Sequence, residues 1–122
     1  MGDGPQPTHH ERVSKAVKKV SKDTLRRAYK RLHPDGRWFE KGAMRFFNTH
    51  VHTAFQATPD LYFFVSSEQY TSPHGNGLRK YSVRRLDTDG VETIGQFQQF
   101  DIIEHAENAA ERLAKNAKGA KL

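Results

Sequence analysis

Two kinds of side chain in this sequence stand where their type and spacing could do chemistry. The first is imidazole. His50 and His52 flank Val51, so on an extended strand both rings leave one face, a spacing found among metal ligands. No third ligand is indicated, since His74 falls in a loop and His9-His10 at the expected start of a helix. The pair reads as polar residues on the outer face of a sheet, and neither metal nor cofactor is expected. There is no Gly-rich phosphate loop after a strand and no HExxH, and no motif pairs a serine or carboxylate with a histidine. No catalytic residue is assigned, and a non-enzymatic role is expected.

The second kind is cationic. Residues 8–32 carry Arg12, Lys15, Lys18, Lys19, Lys22, Arg26, Arg27, Lys30 and Arg31 against Glu11 and Asp23, nine charges less two, or +7. The whole chain of 122 residues is +6, so everything else sums to −1. Charge this local suits an electrostatic contact surface, and lysines and arginines on one helix face can neutralise phosphates with release of counterions. A later stretch interleaves Arg79, Lys80, Arg84 and Arg85 with Tyr81, a pattern that fits either backbone contact with base stacking or an edge strand charged against aggregation. Arg37-Trp38 on a connector reads as a partner hot spot or as a plug between helix and sheet.

Those residues need elements to hold them. Residues 1–7, with two Gly and two Pro, read as a disordered leader. Residues 8–35 read as a basic helical segment, because Val13, Val17 and Val20 and then Leu25, Ala28, Tyr29 and Leu32 recur at helical spacing. The second set is rotated from the first on a helical wheel, so a bend or split is expected at Ser21-Lys22-Asp23, where Ser21 offers N-cap chemistry. His33-Pro34-Asp35-Gly36 stops the helix.

Residues 36–122 read as a separate strand-and-helix domain. Strands are expected at Met44–Gln56, with Phe47, Val51 and Phe55 on one side, and then at Leu61–Tyr70, Leu78–Leu86 and Val91–Phe100. Asp87-Thr88-Asp89-Gly90 is a hairpin signal. The final helix is capped by Asp101 with Glu104, and its stripe is Ile103, Ala106, Ala110, Leu113 and Ala117. The fold class is therefore α+β: a basic helix, a four-stranded antiparallel meander and a C-terminal amphipathic helix on the sheet. Aromatics on both faces of the first two strands call for a helix on each face or a homodimer.

The absence of cysteine excludes a disulfide framework and a thiolate metal site. No apolar run approaches the ~20 residues of a membrane span. A cytoplasmic protein without membrane contact is the expectation.

Three resemblances add to this reading. Ala28 to Asp35 (AYKRLHPD) resembles the end of the second helix and the HPD tripeptide of J-domain co-chaperones, which implies a chaperone contact at His33, Pro34 and Asp35. Strands follow, however, where that family has its third helix. Tyr81 to Ala114 is similar in layout to a double-stranded-RNA-binding domain, although Ile103 and Glu104 stand where that family places helix-start lysines. Met44-Arg45-Phe46-Phe47-Asn48-Thr49 together with Val91–Phe100 (VETIGQFQQF) resembles uncharacterised small proteins of bacteriophages and mobile elements. That resemblance spans roughly residues 44–117 and implies a protein that binds host factors. The combined expectation is a phage-type accessory protein that binds nucleic acid or a nucleoprotein complex through the basic helix. The alternative is an anti-defence inhibitor of a host protein.

Overall fold

The computed structural model describes residues 17–120, with side chains through residue 117. The expected leader, the start of the expected basic helix and Lys15 lie outside the described residues. In chain order the elements are β1 (Lys18–Val20), α1 (Lys22–Leu32), α2 (Lys41–Arg45), β2 (His50–Thr58), β3 (Leu61–Glu68), β4 (Thr71–Ser72), β5 (Gly75–Asn76), β6 (Lys80–Asp87), β7 (Gly90–Ile94) and α3 (Ile103–Ala120). The main sheet runs β1-β2-β3-β6-β7 with every neighbour antiparallel, and β4 and β5 form a separate small hairpin. The fold is α+β, with five strands in the main sheet where four were expected.

The fifth strand comes from the segment read as helix. Lys18, Lys19 and Val20 pair with Gln56, Phe55 and Ala54 along the edge of β2. Val17 and Val20 have helical spacing, but here they flank a strand and pack into different clusters on opposite faces of the sheet. The helix proper begins at Ser21, whose hydroxyl accepts the Thr24 N–H at 3.1 Å. That cap satisfies one of the N–H groups a helix start leaves open. The segment is thus split at Ser21, and Lys18–Val20 before the split form a strand.

Helices cover both faces. On one, Leu25, Ala28 and Tyr29 of α1 pack with Val51, Ala54, Tyr62, Phe64 and Leu86, and Trp38, Phe39 and Met44 fill in around them. Leu25, Phe64 and Leu86 are fully buried, each stabilising the fold by about 1.5–3 kcal/mol. On the other face, Ala106, Ala110 and Ala114 let α3 lie close against Phe55, Phe63, Val65 and Val83. The expected stripe residues Ile103, Leu113 and Ala117 flank that contact. The C-terminal helix starts two residues after its expected cap, and Asp101 instead stands 3.5 Å from Lys80.

All four expected strands are shorter at one end, the third starting at Lys80 where Leu78 was expected. Residues 41–45 are helical, and the chain then turns through Asn48 at φ 49°, a left-handed conformation that asparagine tolerates. Phe46 and Phe47 therefore sit on a turn, not a strand. The fourth expected strand stops at Ile94 because Gly95 takes φ 75°, and Phe100 rejoins the sheet by exchanging two hydrogen bonds with Tyr81. The second ends at Glu68, before Tyr70. The hairpin at Thr88-Asp89 is as expected, pairing Asp87 with Gly90.

β2 also carries a bulge. Val51 faces Ser66 and Ala54 faces Phe64, three steps against two, so His52 and Thr53 together oppose Val65. An extra residue reverses the alternation beyond it. Val51 and Phe55, expected on one side, consequently enter opposite clusters.

Candidate nucleic-acid interface

The bulge and the short β1 together create an opening. β1 pairs only with Ala54–Gln56, which leaves the His50–Thr53 edge of β2 without a strand beside it. The first turn of α1 and the α2 segment border that gap. The result is an open cleft of about 470 Å³. Lys22 and Arg26 contribute from α1, Lys41 from α2, and His50 and His52 from β2, with Phe39, Met44, Thr49 and Val51 completing the lining. Three permanent cations and two imidazoles line this space, and among the described residues no carboxylate does.

Both histidines are disfavoured as cations, by burial first and by neighbouring positive charge second. Burial lowers the His50 pKa, and Arg79 and Lys22 lower it further. For His52 burial again acts first, followed by His50, Arg79 and Lys22, while Glu107 alone opposes them. The His52 ring nitrogen Nε2 lies 2.7 Å from the Ser67 hydroxyl, and the two imidazole centroids are 6.4 Å apart. Among the described residues no group of three His, Cys, Asp or Glu is placed to hold a metal ion. An anion is the species this lining favours, by Coulomb attraction in a partly desolvated cleft.

The remaining basic residues divide by how their charge is used. Lys18 and Lys19 are exposed on the edge strand. Arg26 stands 3.5 Å from Asp23, and Arg27 donates to the Thr24 hydroxyl at 3.4 Å; both are exposed. Lys30 reaches the Pro34 and Gly36 carbonyls, tying down the turn after α1. Arg31 donates to Asp60 at 2.9 Å and to the Pro59 carbonyl at 2.7 Å, and the Asp60 hydrogen bond raises its pKa above the usual range.

The arginines near β6 are turned inward. Arg79 donates to the Asn48 carbonyl, the Ser67 hydroxyl and the Gln69 side chain, bracing the turn before β2. Arg85 pairs with Asp87 at 3.1 Å and with Glu92. Arg84 is the centre of a buried network, donating to Glu68 at 2.8 Å, to Ser66 at 2.9 Å and to Thr93 at 2.6 Å. Its guanidinium also lies 5.6 Å from the Trp38 ring and 5.5 Å from that of Phe97. Lys80 is half-buried beside Asp101. These side chains hold the sheet together, and their donors are largely occupied.

Arg37 and Trp38 part company. Arg37 is exposed and pairs with Glu40 at 3.0 Å. Trp38 packs edge-on against Phe39 and Phe64, and its backbone N–H donates to the Tyr29 hydroxyl at 3.1 Å. His33, from the HPD tripeptide, lies with its Nε2 2.7 Å from the Asp87 carbonyl and bridges the helix stop to the β6–β7 hairpin.

Sequence reading singled out Lys22 and Arg26, which the fold brings to the cleft together with His50 and His52. It missed Lys41, an unremarkable lysine until the α2 turn carries it opposite α1. It also missed Glu68, whose buried role depends on cross-strand partners.

Among the described residues no helix is long and apolar enough to cross a membrane. The sequence profile of a family described as of unknown function, DUF7447, matches residues 23–111, from α1 through the sheet into α3. No curated protein and no solved structure matches the chain.

Proposed function

The chain belongs to the DUF7447 family, whose function is unknown, and for this member we propose a non-enzymatic role in binding nucleic acid at the β1–α1 corner. One observation carries the reading: Lys22, Arg26 and Lys41 line a cleft with two imidazoles and, among the described residues, no carboxylate. Lys18, Lys19 and Arg27 are exposed on the same two elements and extend the positive surface along a polyanion. The resemblance to small bacteriophage proteins supports an accessory protein whose target in the host is a nucleic acid or a nucleoprotein complex.

Phosphate contacts of this kind give salt-dependent affinity. Three contacts correspond to a log–log slope of about −2 to −3, at roughly 0.7–0.9 per phosphate neutralised. The test is fluorescence anisotropy of a labelled oligonucleotide against the full chain across a salt series. Lys22→Glu/Arg26→Glu/Lys41→Glu should lose most of the affinity and flatten the slope. Unchanged affinity in that triple variant would refute the proposal.

A further inference from the structure

A second cleft, of about 490 Å³, lies beside the basic one, and the two share Met44 and Thr49 in their walls. Its chemistry is different. Trp38, Phe46, Phe47 and Phe97 line it, with Arg84 among them. Because Arg84 is already engaged by Glu68, what this cleft presents is aromatic surface rather than free positive charge.

Phe46 is 78% exposed and Phe97 37%, although both belong to one aromatic cluster. Phe46 meets Phe47 edge-on at 4.5 Å, and Phe47 meets Phe97 at 5.2 Å. The turn that presents Phe46 and Phe47 is fixed. Thr49 N–H donates to the Met44 carbonyl at 2.6 Å, and Arg79 clamps the Asn48 carbonyl at 3.0 Å. Exposed aromatic rings held on a fastened turn form a platform, and base–aromatic stacking is worth about 1–3 kcal/mol per base.

We infer that the paired clefts bind single-stranded nucleic acid, with backbone phosphates in the basic cleft and an unpaired base against Phe46 and Phe97. This rests on the nucleic-acid reading above and narrows it. A duplex keeps its base faces stacked within the helix, so it can use only the first cleft. A single strand can use both.

The test compares single-stranded deoxythymidine and uridine oligonucleotides of roughly 10 nucleotides, within the site size of small single-strand binders, with a duplex of equal length. The full chain should bind the single strands at least ~10-fold more tightly than the duplex at one salt concentration, from the stacking contribution. Quenching of Trp38 fluorescence should accompany binding of the single strands. Phe46→Ala and Phe97→Ala should each weaken single-strand binding by about 10-fold with the salt slope unchanged, because stacking releases no counterions. Phe46→Trp should restore it. Phe46 is so exposed that its variants should melt as the parent does, which a thermal scan checks. Equal affinity for single strand and duplex, or Phe46→Ala binding as the parent does, overturns the inference and leaves the nucleic-acid reading standing. Absence of binding to every oligonucleotide removes both.

Discussion

Replacing Glu68 by glutamine probes the interior on which the aromatic cleft rests. The Glu68 side chain is fully buried, and three donors converge on its two oxygens. Ser66 Oγ donates to Oε2 at 2.6 Å, Arg84 Nη2 to the same oxygen at 2.8 Å, and Ser82 Oγ to Oε1 at 2.8 Å. Ser82 Oγ already accepts the Gln98 N–H at 2.7 Å, and Ser66 Oγ accepts from Arg84 Nε at 2.9 Å. A glutamine amide therefore points its NH₂ at a committed hydroxyl whichever way it turns. It also strips the counter-charge from Arg84, whose side chain is 13% exposed. Breaking a buried pair from one side costs about 3–5 kcal/mol. Arg84 keeps Thr93 and its two aromatic neighbours, which places the expected loss near the lower end, about 3 kcal/mol. For a domain of this size that lowers Tm by roughly 12 °C. Urea unfolding followed by Trp38 fluorescence measures it. The double variant Glu68→Leu/Arg84→Met, which removes both charges, should be clearly more stable than Glu68→Gln, since buried pairs often break even against apolar replacements. A loss below about 1 kcal/mol in Glu68→Gln would refute the reasoning, because it would mean the network is not holding a desolvated charge.

A Cβ at Gly36 would overlap the Tyr29 hydroxyl, and the Tyr29 ring is pinned by Phe39 at 5.2 Å and by its hydrogen bond from the Trp38 N–H. Gly36→Ala should cost about 2 kcal/mol in urea unfolding, as over-packing of a tight contact does, and parental stability would contradict this. The pKa values of His50 and His52 are lowered from 6.5, chiefly by burial, so the unfolded chain binds protons that the fold resists. Stability is then whole above about pH 6.5 and falls as pH drops through the lowered folded values, after which it levels off. Urea midpoints between pH 7.5 and 5 should follow this curve, and His50→Gln/His52→Gln should flatten it; an unaltered curve in that variant would assign the decline to other groups.

What the sequence made legible was local. Ser21 as a helix cap and Asp87–Gly90 as a tight turn depend on side chains acting within a few residues, and both hold. The third expected strand is present as β6, with Arg84 facing the side of Phe64 and Arg85 the side of Phe63. The misses involve partners distant in the chain. Lys18–Val20 is a strand because the edge of β2 is there to pair with it, and valines three residues apart cannot signal that. The bulge at His52-Thr53 inverts the sides of Val51 and Phe55, and alternation alone cannot reveal an inserted residue. Gln96–Phe100 falls within the fourth expected strand, yet Gly95 and Gln98 take positive φ and turn the chain away. The cleft was half visible for the same reason: the charge of Lys22 and Arg26 could be counted, while Lys41 and the histidines join them only through the fold.

The distribution of acids argues most directly for a ligand at that cleft. Around β6 the fold answers its arginines, giving Glu68 to Arg84 and both Asp87 and Glu92 to Arg85, while Lys80 has Asp101 within 3.5 Å. Arg31 likewise has Asp60. The same chain sets Lys22, Arg26 and Lys41 around a cleft with no acid in its lining among the described residues, although Asp23 stands 3.5 Å from Arg26 outside it, and Lys22 and Arg79 add to burial in lowering the pKa of two histidines. Like charges gathered on one exposed edge oppose folding weakly, and Asp23 offsets the charge of Arg26 alone among the three. An anion supplied from outside would offset that repulsion, which is the physical basis of the proposed role.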